Sequence, residues 1–66
     1  MVRKLLRRRL VEELTGESRS TIYEKIQKGQ FPKPVKLGPR SVGWVEDEIA
    51  KYNDAKIAAR DAKDAP

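Results

Sequence analysis

With Ile22 and Ile26 set toward a core and about 100° turned per residue, Tyr23, Gln27, Ser20 and Glu24 share the flanking and opposite face of a helix whose first turn carries Arg19. Apart from Glu24, these side chains donate hydrogen bonds, and Arg19 adds a positive charge. An arginine offers paired N–H groups to the edge of guanine, and a glutamine pairs in the same way with adenine. A tyrosine hydroxyl can reach a phosphate while its ring props the helix. Ser18, Ser20 and Thr21 crowd the helix start, where the positive end of the dipole attracts phosphate. Further on, Lys33, Lys36 and Arg40 add cations, with Arg40 at a turn suited to reach a minor groove or a phosphate. The chemistry implied is recognition of double-stranded DNA, with Arg19, Ser20, Thr21, Tyr23, Gln27, Lys36 and Arg40 as contacts. Plainer readings compete. Arg19 could be a solvated charge, Ser18 a structural cap, and Tyr23 a packing residue. Glu24 is an acid on the same face, able to read a cytosine amino group, to pair with a neighbouring Lys, or to repel non-specific DNA. Lys25 and Lys28 lie off the central face.

What is missing narrows the field further. The 66 residues include no His and no Cys. The usual general base, the commonest metal ligand, the thiolate nucleophile and the disulfide framework are all excluded. Nothing groups the carboxylates with a nucleophile, so no enzyme, cofactor or small-molecule substrate is expected. No apolar run approaches the ~18 residues of a membrane span, and the basic N-terminus lacks the apolar stretch of a signal peptide. A cytoplasmic, nucleoid-associated protein is expected.

The net charge is +5, and its distribution says more than its sum. Residues 1–44 hold eleven Lys and Arg against four Glu, whereas residues 45–66 hold four against six Asp and Glu. A one-sided basic surface is the electrostatic footprint of a polyanion binder. Ordinary solubilising charge is the alternative.

The elements that must position these residues can be read from spacing. Residues 1–8 form a basic arm, and the run MVRKLLRRR fits either a loose arm or a short strand. Helix 1 spans 9–15, with Leu10, Val11 and Leu14 on one stripe and Gly16 closing it. The recognition helix spans 18–28, opened by Ser18 as N-cap and closed by Gly29. Two short amphipathic helices joined by a tight Gly-containing turn make a helix-turn-helix. Over 31–44, Pro32 and Pro34 exclude helix, and Val35/Leu37 and Val42/Trp44 alternate around Gly38-Pro39. That stretch predicts a two-stranded hairpin. Residues 45–60 form a C-terminal helix with an acidic first turn and a stripe of Ile49, Tyr52 and Ile57, and 61–66 is a frayed tail.

Such a chain is one domain, mainly α with a small β-hairpin. Folding at this size hides only about 60% of the unfolded surface, so the core is thin. The expected core is Leu6, Leu10, Val11, Leu14, Ile22, Ile26, Phe31, Val35, Leu37, Val42, Trp44, Ile49 and Tyr52. Trp44 alternates with Val42 on a strand and is read as core, not as a stacking platform. With no exposed aromatic platform, RNA is the less expected polyanion.

The run ELTGESRSTIYEKIQKGQFPKPVKLGPRSVGW, Glu13 to Trp44, resembles the AlpA-type regulators of phages and prophages. The pieces that carry the likeness are TGxSRSTIY, KGxFPKPVKLGPRSVGW and the acidic start of the next helix. SRSTIY alone also occurs in the wider MerR-like winged group. The resemblance implies a winged helix-turn-helix, with Arg19, Ser20 and Tyr23 meeting DNA from SRSTIY and Arg40 from the GPR tip. It also implies transcriptional control of integration or excision genes, or an excisionase-related role. Two departures stand out. Glu17 occupies a position that is usually apolar, which puts the packing of the turn in question. Arg7, Arg8 and Arg9 form a block where the first helix usually begins with a mixed sequence, suggesting extra backbone contact or a shifted helix start.

Three functions remain open at this stage. The first is a sequence-specific transcriptional regulator of a prophage or integrative element. The second is an excisionase-like architectural factor that bends DNA beside an integrase, binding cooperatively with further copies of itself. The third is a protein-interaction module such as an antitoxin, suggested by the acidic last helix and the thin core.

Overall fold

Ser18 and two glycines set the limits of the helix pair. The Ser18 side chain accepts the Thr21 backbone N–H at 3.3 Å and caps the second helix. Gly16, at φ 71°, sends its N–H to the Glu12 carbonyl and ends the first. Gly29, at φ 72°, donates to the Ile26 carbonyl while Gln30 donates to that of Lys25, the paired bonds of a Schellman stop. The computed structural model describes residues 3–64. In order they form β1 (Leu5–Arg7), α1 (Arg8–Thr15), α2 (Arg19–Gln27), β2 (Val35–Gly38), β3 (Ser41–Val45) and α3 (Glu46–Asp64). The fold is mainly helical with a small antiparallel sheet, a winged helix-turn-helix.

The sheet has three strands in the order β1-β3-β2, all antiparallel: the expected hairpin and, of the two readings of the N-terminal run, the short strand. The basic N-terminal segment is therefore no loose arm over Leu5–Arg7. β3 has a second edge free, and Leu6 can occupy the register position opposite Trp44, where both side chains are buried. β1 then runs directly into α1, which starts at Arg8. Residues 1 and 2, the beginning of the expected arm, lie outside the described residues.

The core consists of Leu6, Val11, Ile22, Phe31, Trp44 and Ile49, with Tyr23, Ile26, Val42 and Tyr52 half-buried against it. Trp44 is completely buried, and its indole N–H donates to the Pro32 carbonyl at 2.9 Å. Tyr23 and Phe31 meet it edge-on at 6.5 and 6.4 Å between ring centres.

Four expected core residues are exposed: Leu10, Leu14, Val35 and Leu37. α1 is covered on one side only. Val11 takes the inward position, and its apolar neighbours fall on the flanks. β2 puts Val35 and Leu37 on one face as their spacing predicts, but that face is exposed. Val35 pairs with Gly43 and Lys36 with Val42, so the register turns Val35 away from Trp44. A bulge between Lys36 and Gly38 leaves Leu37 over Gly43 on the same outer face, beside Leu5.

The third helix departs from expectation at both ends. Val45 ends β3 and is no part of it. The helix continues through residues 61–64, where fraying was expected, because Ala58, Ala59 and Ala62 are strong helix formers and extension needs no new nucleus. Residues 65 and 66 lie outside the described residues. Ile57, placed on the packing stripe by its spacing, is exposed.

Candidate nucleic-acid interface

A groove of about 690 Å³ lies between the start of α2, the β2–β3 hairpin and the junction of β1 with α1. Arg19 and Tyr23 line it from α2, and Lys36 and Arg40 from the hairpin. Four of the seven expected contact residues, separated by up to 21 positions in sequence, thus converge on one concavity. The Arg19 guanidinium sits 5.8 Å from the centre of the Tyr23 ring. That ring is in turn wedged against Trp44, so the core supports Arg19 through one intervening aromatic. Tyr23 therefore packs and also faces the groove.

The other three sit elsewhere on α2. Ser20 and Gln27 are exposed but do not line the groove. Thr21 belongs to the cap, because its hydroxyl accepts the Ser18 hydroxyl at 3.0 Å while its N–H bonds Ser18 Oγ. The acid on this face is neutralised. Glu24 accepts Lys28 Nζ at 2.9 Å, and that bond holds its pKa below the ordinary carboxylate value.

Arg7, Arg8 and Arg9, which suggested extra backbone contact or a shifted helix start but are not among the seven expected contacts, line the same groove. The signal was the Leu6 that precedes them. Leu5 and Leu6 interrupt the basic run, and Leu6, buried opposite Trp44, docks the strand on β3 and carries the following arginines to the groove.

The cations of the molecule are sorted by position. Arg3 pairs with Asp47, Lys4 with Glu46, Lys28 with Glu24 and Arg60 with Asp61, all away from the groove. Among the described residues, Arg8 is the one groove cation that pairs, with Glu12 at 3.0 Å. Among the described residues, Arg7, Arg9, Arg19, Lys36 and Arg40 have no carboxylate partner, and no acid lines the groove. Five uncompensated cations around one concavity repel each other and focus a positive potential into it.

Glu17, the departure noted in the turn, makes the turn a polar clamp. Its carboxylate accepts from Lys25 of α2, from the Tyr52 hydroxyl of α3 at 2.8 Å, and from Lys56 at 3.5 Å. Burial opposes its charge, but the Lys25 and Tyr52 hydrogen bonds and the two lysine charges outweigh burial and hold its pKa below the usual value. The clamp draws Lys25 to the side facing α3, away from the groove. Asn53 adds a second tie, donating to the Leu14 carbonyl at 3.0 Å.

Among the described residues, no cluster of His, Cys, Asp or Glu could hold a metal, and no helix is long and apolar enough to cross a membrane.

Residues 4–57 match the protein family described as prophage CP4-57 regulatory protein (AlpA). A protein of Enterobacteria phage P4, named uncharacterized protein ORF88, is 48% identical over 50 residues, covering 76% of this chain. The aligned part spans 57% of the phage protein's own length. The DNA-binding transcriptional activator AlpA of Escherichia coli strain K12 is 38% identical over 55 residues, covering 74% of this chain and 79% of the relative.

Proposed function

The chain belongs to the AlpA family of prophage regulatory proteins, and from that premise we propose that it is a sequence-specific regulator of transcription. It binds double-stranded DNA of a prophage or integrative element, in the cytoplasm on the nucleoid, and controls genes for integration or excision. It performs no catalysis. The observation that carries this reading is the groove, without an acid among the described residues, in which α2 and the hairpin present Arg19, Tyr23, Lys36 and Arg40 together.

The roles follow from shape and charge. α2 is a nine-residue helix with an exposed polar face, the size of element that a major groove about 12 Å wide admits. Arg19 and Ser20 stand in its first turn and reach base edges, with Gln27 two turns on along the same side. The Tyr23 hydroxyl meets the backbone. The hairpin acts as the wing, placing Arg40 at its tip and Lys36 on its flank toward the neighbouring groove. Thr21 serves by holding the helix start through its bonds with Ser18.

Selection of bound sites from random duplexes, followed by a footprint on the best site, tests the reading. A protected promoter operator fits a transcriptional regulator. Protection at an attachment site, strengthened by an integrase and by further copies of the chain, would make it an architectural recombination factor. Absence of affinity for any duplex at low salt would overturn both.

A further inference from the structure

We propose that Arg7 and Arg9, at the junction of β1 and α1, form a third DNA-contacting element that grips the phosphate backbone between the recognition helix and the wing. The inference rests on the DNA-binding reading above and adds to it a site that α2 and the hairpin do not supply.

Position is the first support. Arg7 ends β1 at the register position opposite Gly43, and Gly43 also pairs with Val35 at the start of β2. The end of β1 thus lies across β3 from the hairpin's first strand. α1 begins at once, so Arg9 falls in its first turn. Both arginines line the groove whose other walls carry Arg19, Lys36 and Arg40. A helix in the major groove and a wing in the adjacent minor groove must straddle one sugar–phosphate ridge. The concavity between them is where that ridge sits.

Charge is the second support. Cations outside the groove are mostly paired, and Arg8 between the two arginines is itself held by Glu12. Arg7 and Arg9 are exposed and have no carboxylate partner among the described residues. Their mutual repulsion, together with that of the cations facing them, is unfavourable in the free protein and is relieved by a polyanion. A backbone contact of this kind carries no sequence information. It adds affinity equally on every duplex and steepens the dependence on salt.

The experiment titrates the Arg7→Ala/Arg9→Ala double variant against a duplex of unrelated sequence and against the best selected site, from about 50 to 200 mM salt. Two lost phosphate contacts make the slope of log K against log salt shallower by about two, so the variant's deficit shrinks about tenfold over that range. The deficit is the same factor on both duplexes, and base preference is unchanged. Arg7→Lys/Arg9→Lys keeps the wild-type slope, because the charge is retained. Lys51→Ala, an exposed cation of α3 outside the groove, also keeps it. A double-alanine slope equal to wild type overturns the proposal and leaves the DNA-binding reading intact. A wild-type protein without affinity at low salt removes both.

Discussion

At the scale of the residue, Arg19 and Glu17 hold opposite ends of the design. Arg19 has charge, exposure and a propped position over Tyr23. Arg19→Ala is expected to cost about 1–3 kcal/mol of binding and to relax discrimination at one base position. Binding curves on single-base variants of the selected site check this, and an equal loss on every sequence would assign Arg19 to the backbone instead. Glu17 acts on stability. Its folded-state pKa lies below the ordinary value of 4.5, so its stabilising effect is complete above that value and is lost as pH falls through the folded pKa. Glu17→Gln should lower stability at neutral pH by about 1 kcal/mol, a melting shift of about 4–8 °C at this size. Because the wild type alone has a charge to lose, the gap between the two should narrow as pH drops below 4.5. Melting curves at neutral and acid pH decide it, and a gap that stays constant would mean the carboxylate charge plays no part.

At the scale of the element, each helix start and strand pairing has a local cause that can be removed. Ser18→Ala takes away the acceptor for the Thr21 N–H and should cost about 1 kcal/mol, read as a lower denaturation midpoint with an unchanged slope. The loss should also weaken DNA binding, since the first turn of α2 carries Arg19 and Ser20. Leu6 is the side chain that holds β1 on the sheet, buried opposite Trp44. Leu6→Ala should cost about 2–5 kcal/mol and increase exchange of the β1 amide hydrogens. β1 amides that remain as protected as those of β3 would show that backbone pairing alone suffices. Removing Leu6 tests the third strand separately from the arginines that follow it.

At the scale of the whole molecule, charge is divided between a basic body and a last helix that begins with Glu46, Asp47 and Glu48. The overall extents of 49 × 30 × 20 Å reflect α3, which reaches beyond the body it packs on. If the groove neutralises four or five phosphates, affinity for a duplex should fall about 100- to 500-fold between about 50 and 200 mM salt. A nearly flat dependence would show that the unpaired cations do not meet phosphate.

The chain's local chemistry was open to reading before any fold was known. Ser18, Gly16 and Gly29 mark the helix limits by backbone preference alone, and Trp44 declares itself core by alternation with Val42. The face carrying Ser20 and Gln27 follows from the spacing of Ile22 and Ile26, whereas Arg19, one turn before Ile22, owes its exposed place over Tyr23 to the folded structure. What needed the tertiary structure was every choice between two faces or two partners. Val35 and Leu37 alternate as expected, yet only the register with β3 decides which side of the sheet they occupy. Leu10 and Leu14 look like core until α1 proves to be covered on one side. The arginine block finds the groove only because Leu6 pairs opposite Trp44, 38 positions away. Glu17 finds its donors on α2 and α3 in the same way. Spacing along a chain sets periodicity, but burial and charge pairing depend on which surfaces meet, and residues far apart in sequence decide that together.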